Sequence, residues 1–163
     1  MELNDVLARA IVPALQLLPK SMDSEKARIM LVAIGLQESR FQHRHQIGGP
    51  AHGFWQFESG GGVKGVMTHQ ATKRHALELC NARGVPFVRS MVFEALEVDD
   101  VLAAGIARLL LWSDPAPLPA NDDAQAAWNL YVRTWRPGKP HRKTWDAFYR
   151  QAVAAVAGKG IAA

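Results

Sequence analysis

Apolar residues recur at helical spacing over most of this chain, and the places where the spacing fails divide it into elements. Val6, Leu7, Ala10, Ile11, Ala14, Leu15 and Leu18 form one stripe, which predicts a first amphipathic helix with a bend at Pro13. Pro19-Lys20-Ser21 ends it. Asp23 or Ser24 is placed to cap a second helix, with Glu25 in its electropositive first turn. From Ile29 to Leu36 that helix has no polar position at all, so it is expected to be buried on every side. Glu38 follows at its far end.

The pattern then changes. Between Gln42 and Val63 glycines stand at 48, 49, 53, 60, 61 and 62, and a long helix there would lose too much backbone entropy. The segment predicts a Gly-rich loop or a small β-hairpin. Helical spacing resumes over Gln70 to Ala82, stopped by Gly84, and over Phe87 to Leu96. Asp99 or Asp100 is placed to cap a long apolar helix through Leu111. Pro115, Pro117 and Pro119 make a stiff linker, Asn121 or Asp122 opens the helix holding Trp128 and Asn129, and a last helix runs from near Thr144 to near Gly158. The expected fold is mainly α, a central buried helix surrounded by about six further helices, in a single domain over residues 1–163.

Composition narrows the class. At 163 residues and 48% hydrophobic, one cooperative core is expected and disorder is not. No apolar stretch reaches the ~20 residues of a membrane span. Met1-Glu2-Leu3-Asn4-Asp5 lacks the basic region and cleavage site of a secretory signal, and Cys80 is the single cysteine, so synthesis in a reducing cytoplasm without a signal peptide is the expectation. The net charge of +4 suits a polyanionic partner or simple solubility. Its densest stretch, Arg133 to Lys143, contains two prolines and a glycine and reads as a basic loop.

The candidate chemistry centres on Glu38. A carboxylate at the exit of a buried helix is disfavoured as an anion by desolvation and by the helix dipole, and both raise its pKa toward that of a useful general acid. Salt bridging to Arg40 is the alternative reading. The block Gly53-Phe54-Trp55-Gln56-Phe57-Glu58 adds a glycine turn, flat rings, an amide and a second carboxylate. Carboxylates framed by rings and amides are what glycosidic cleavage requires.

Glu38-Ser39-Arg40-Phe41, Gly53-Phe54-Trp55-Gln56 and Ala127-Trp128-Asn129, in that order, resemble the motif set of the lysozyme-like superfamily, specifically the lytic transglycosylases and goose-type lysozymes. Those families carry Met at the position of Trp55, Tyr at that of Trp128 and Gly at that of Tyr131. The resemblance implies a lysozyme-like catalytic domain that cuts the β-1,4 bond between N-acetylmuramic acid and N-acetylglucosamine in peptidoglycan. It implies Glu38 as the catalytic acid, with no cofactor and no metal, in a monomer whose partner is a glycan strand. Ser39, Gln56 and Asn129 are then candidate hydrogen-bonding groups for the sugar, presented by the Gly53 turn. Phe54, Trp55, Trp128 and Tyr131 are candidate stacking rings, while Trp112, Trp135 and Trp145 are assigned to the core. Glu58 is either a water-directing second carboxylate, as in goose-type lysozymes, or a loop carboxylate beside Lys64. Helical geometry puts Tyr131 about 200° from Asn129; with Asn129 taken as facing the cleft, Tyr131 is expected to face away. The implied setting is a bacteriophage lysin made in the host cytoplasm and reaching the wall after release, or carried by the virion.

Three other readings bear on the same residues. His43, His45 and His52 could meet a metal with a carboxylate, but no HExxH or paired cysteine accompanies them, and they are read as surface or supporting imidazoles. The basic stretch with Trp135 and Trp145 could instead stack on nucleic acid, although no nucleic-acid partner is expected. A lysozyme-like domain that binds glycan without cutting it is the third, and the presence of Glu38 argues against it.

Overall fold

A computed structural model describes residues 1–162 and is mainly helical. Among the described residues nine α-helices follow in chain order: α1 Leu3–Val6, α2 Val12–Gln16, α3 Glu25–Ser39, α4 Lys64–Thr68, α5 Lys73–Ala82, α6 Arg89–Ala95, α7 Asp100–Trp112, α8 Ala124–Trp135 and α9 Arg142–Ala162. The stripe from Val6 to Leu18 forms one rod, α1 joined to α2 by a π-helical turn, Leu7–Ile11. Pro13 has no N–H to donate, and widening the turn before it keeps the rod unbroken.

As its all-apolar run requires, α3 is the central buried helix: Ile29 through Leu36 are all buried. Ser24 caps it, its hydroxyl accepting from Ala27 N–H at 3.0 Å, while Asp23 holds Arg28 instead. The long helix α9 packs along α3, and α7 packs against the N-terminal rod, α2 and α5. Asp99 caps α7 through Leu102 N–H. Within α7, Arg108 is buried; its Nε–H donates to Met22 O at 2.7 Å, and burial lowers its pKa to about 10. Among the described residues the buried apolar side chains form one cluster to which every helix contributes.

Several expectations change. The cap of α8 is Asp123, accepting from Ala126 N–H at 3.0 Å, rather than Asn121 or Asp122. The glycine run is only partly a loop: Ser59–Val63 forms a π-helical turn leading into α4, with Gly61 off helical geometry at the kink. No strand forms among the described residues; the segment before it has isolated antiparallel bridges, His45 to His52 and His52 to Phe57. Gly158 does not stop α9, which continues to Ala162. Trp112 is 36% exposed under Arg108, not core, whereas Trp145 is fully buried. No helix among the described residues is long and apolar enough to cross a membrane.

Candidate active site

The end of α3 sets the position of Glu38. Arg40 takes a left-handed conformation (φ 55°) and its N–H reaches back to Gly35 O and Leu36 O, closing the helix one residue after Ser39. Phe41, also left-handed, then folds its ring onto Gly35, where any Cβ would run into it. Ser39 completes the corner: its buried hydroxyl donates to Phe54 O at 2.6 Å and accepts from Phe41 N–H at 3.1 Å. Ser39 is thus a latch between helix and loop, with no spare group for a sugar.

The loop block is fastened on three sides. His52 and Phe57 exchange backbone hydrogen bonds at 2.8 and 2.9 Å, closing a turn whose first residue, Gly53, has φ 81°. Trp55 is wholly buried and donates its ring N–H to Leu31 O at 2.8 Å; its own carbonyl accepts from Trp135 Nε1–H at 2.9 Å. Phe54 is buried beneath the Arg44 guanidinium. Gly53, Phe54 and Trp55, expected at the substrate, are therefore scaffold. Their sequence made a tight turn readable, but burial assigns the rings to packing.

Glu38 opens into a cleft of about 640 Å³, whose lining also includes Gln56, Glu58, Tyr131, Trp135 and Lys139. Gln56 is half-buried, its amide donating to Gly53 O at 2.8 Å. Glu58 is exposed at the cleft, so both candidate carboxylates share one space. Tyr131 O–H donates to Glu38 Oε1 at 2.6 Å. Its ring stacks on Trp145 with planes 9° apart, which holds the hydroxyl in place. Burial raises the Glu38 carboxyl to about 7, with the Tyr131 hydrogen bond pulling partly the other way. The Tyr131 hydroxyl is pushed upward by burial and by the neighbouring carboxylate, so it remains a donor. Arg40 lies over Phe148 and has no ion pair with Glu38.

The expectation for α8 is reversed. Asn129 is exposed and accepts from Gln125 on the outer face, while Tyr131 faces Glu38. Trp128 is half-buried against Tyr131 and Trp145 with Arg142 over its ring, outside the cleft lining. Trp135, assigned to the core, is half-buried and lines the cleft. The aromatic spacing 128, 131, 135 marks one helix face, and that stripe was the signal for Tyr131 and Trp135. Gln37 is a further residue of the site; its amide donates to His141 O at 3.0 Å and accepts from Thr144, tying α3 to the basic loop before α9. Of the loop histidines, His43 lines the cleft, while His45 and His52 turn toward Glu97.

Chemically, this is a carboxylic acid poised near neutrality in an open polar cleft, with a second carboxylate and an aromatic wall. No family model matches the chain, and neither a curated protein nor a solved structure matches it.

Proposed function

We propose that this protein is a lysozyme-like glycosidase that cleaves the β-1,4 bond between N-acetylmuramic acid and N-acetylglucosamine, a reaction of the kind phage lysins perform. The observation that carries the reading is Glu38: a carboxyl raised to about 7 by burial, at the exit of a central helix, in an open cleft of about 640 Å³. The resemblance of its surrounding motifs to lytic transglycosylases and goose-type lysozymes supplies the substrate class. In those families a tyrosine hydroxyl approaches the catalytic acid; here Tyr131, one turn beyond Trp128, makes that approach.

The proposed mechanism starts from the Tyr131–Glu38 hydrogen bond. Tyr131 donates to Oε1, so the acidic proton belongs on Oε2. Glu38 transfers it to the glycosidic oxygen as the C1–O bond breaks and positive charge develops on the sugar ring. The carboxylate left behind keeps the Tyr131 hydrogen bond. Two second steps are then open to the same site: water activated by Glu58, giving a reducing end, or attack by the muramic 6-hydroxyl with Glu38 as base, giving a 1,6-anhydro end. The goose-type placement of Glu58 favours hydrolysis.

Stacking on nucleic acid has weaker support. Trp145 is fully buried, and Trp135, its N–H held by Trp55 O, is half-buried in the cleft wall, so the two rings do not form a free stacking pair beside the basic loop. Glu38→Gln is the test. It should abolish turbidity clearing of purified cell walls with an unchanged circular dichroism spectrum; retained clearing would refute the assignment of the acid.

A further inference from the structure

Away from the cleft lining, the fold assembles a second polar cluster from distant parts of the sequence. His45 and His52 face each other across an antiparallel bridge, with ring centroids 4.8 Å apart, and Glu97, in the turn between α6 and α7, reaches both. His45 Nδ1 is 3.3 Å from Glu97 Oε1, and His52 Nε2 is 3.8 Å from Oε2. One ligand atom from each of the three residues lies within 4.8 Å of the others.

One ring nitrogen of His52 is already committed. Its ring stacks on Phe93 at 3.9 Å with planes 5° apart, and its Nδ1 is 3.1 Å from Phe93 O. A carbonyl only accepts, so Nδ1 carries the hydrogen, and in the neutral ring Nε2 presents a lone pair. A carboxylate oxygen of Glu97 lies 3.8 Å from that nitrogen. With the ring neutral, two acceptors then lie opposite each other, an arrangement that a proton or a metal cation between them makes favourable. Nearby arginines do not supply one: Arg44 is engaged by Asp100 at 2.9 Å, Arg83 is engaged by Asp99 at 2.9 Å, and no lysine or arginine among the described residues pairs with Glu97.

The geometry points to a divalent transition-metal site of the zinc type, with His45 Nδ1, His52 Nε2 and one Glu97 oxygen as ligands. Bonds of ~2.0–2.1 Å at tetrahedral angles separate ligand atoms by ~3.4 Å. The two histidines lie 3.3 and 3.8 Å from different oxygens of Glu97, and the three ligand atoms lie within 4.8 Å of one another, so the more exposed His45 and Glu97 side chains must rotate to bring a single oxygen to both rings. Water takes the fourth position. Phe93 O, receiving the other ring N–H of His52, orients the ligand as outer partners of metal-bound histidines do. Two imidazoles and a carboxylate suit zinc better than calcium or magnesium, which prefer oxygen. A metal here joins the loop carrying the cleft residues Gln46 and Gln56 to the α6–α7 turn. The site is independent of the glycosidase reading.

Untagged protein, stripped with chelator and titrated with Zn²⁺ by calorimetry slightly above neutral pH, should bind one ion per chain, and Co²⁺ should give visible absorption typical of low coordination. His45→Gln, at an exposed residue, and Glu97→Gln, at a half-buried one in a turn, should each weaken binding at least ~10-fold while keeping the parent circular dichroism spectrum. His69→Gln, at a histidine elsewhere on the surface, should bind like the parent. Absence of one-to-one binding, or parent-like affinity in both ligand variants, would overturn the site and leave the cluster as a histidine–carboxylate contact.

Discussion

Glu38 carries a cost that can be measured apart from catalysis. Its folded pKa of about 7 lies above the ordinary 4.5, so the folded protein holds this proton more tightly than the unfolded chain does. The stabilisation from that proton is complete below about pH 4.5 and is lost as pH rises through 7. Glu38→Gln has no charge to bury and keeps an acceptor for Tyr131. It should therefore exceed the parent in stability by roughly 2–3 kcal/mol at about pH 8 and by little at about pH 5, measured by denaturant melts. Equal differences at both values would mean that Glu38 is not a desolvated acid. Tyr131→Phe keeps the buried ring and removes the hydrogen bond that favours the ionised form. The alkaline limb of the pH–activity profile should move upward and the rate should fall; a limb unmoved or lowered would show that the Tyr131 hydroxyl does not act on Glu38. Trp55 and Asn129 show why residue roles were only partly legible in the sequence. A motif names residue types, but whether a ring is packed inside or presented to a ligand is decided by partners far along the chain, such as Leu31 for Trp55.

At the scale of elements, hydrophobic periodicity was enough for α3, α7 and the N-terminal rod, because a helix buried on one side or all sides writes its environment into its own sequence. It was not enough where several weak signals compete. Three successive glycines read as loop, yet they form a π-helical turn because Val63 and Val66 gain burial beneath it. Asn121, Asp122 and Asp123 are equivalent caps in sequence, and the turn that precedes α8 selects the third. On α8, the angle between positions 129 and 131 was sound, but the buried stripe Ala127, Leu130 and Tyr131, rather than the Trp-Asn pair, decides which faces inward. The corner after α3 is the element on which Glu38 most depends. Gly35→Ala would drive a methyl into the Phe41 ring and dislodge the latch through Ser39. A loss of about 1–3 kcal/mol is expected, together with reduced turnover in the surviving folded fraction. An unchanged melt with full clearing of cell walls would show that this corner does not set the acid.

Across the whole molecule, the mainly α architecture and its buried central helix were readable from pattern alone. The cleft was not, since its walls come from α3, the 42–58 loop, α8 and the basic loop before α9, brought together only by folding. The same is true of His45, His52 and Glu97, whose sequence separation hides their proximity. What the molecule does with the cleft is written most directly in its product. Mass spectrometry of purified peptidoglycan after digestion should show muropeptides released by cleavage on the reducing side of N-acetylmuramic acid, with free reducing ends if Glu58 directs water. None should appear with Glu38→Gln. Glycan chains left intact by the parent protein, or cut at amide bonds alone, would contradict the account.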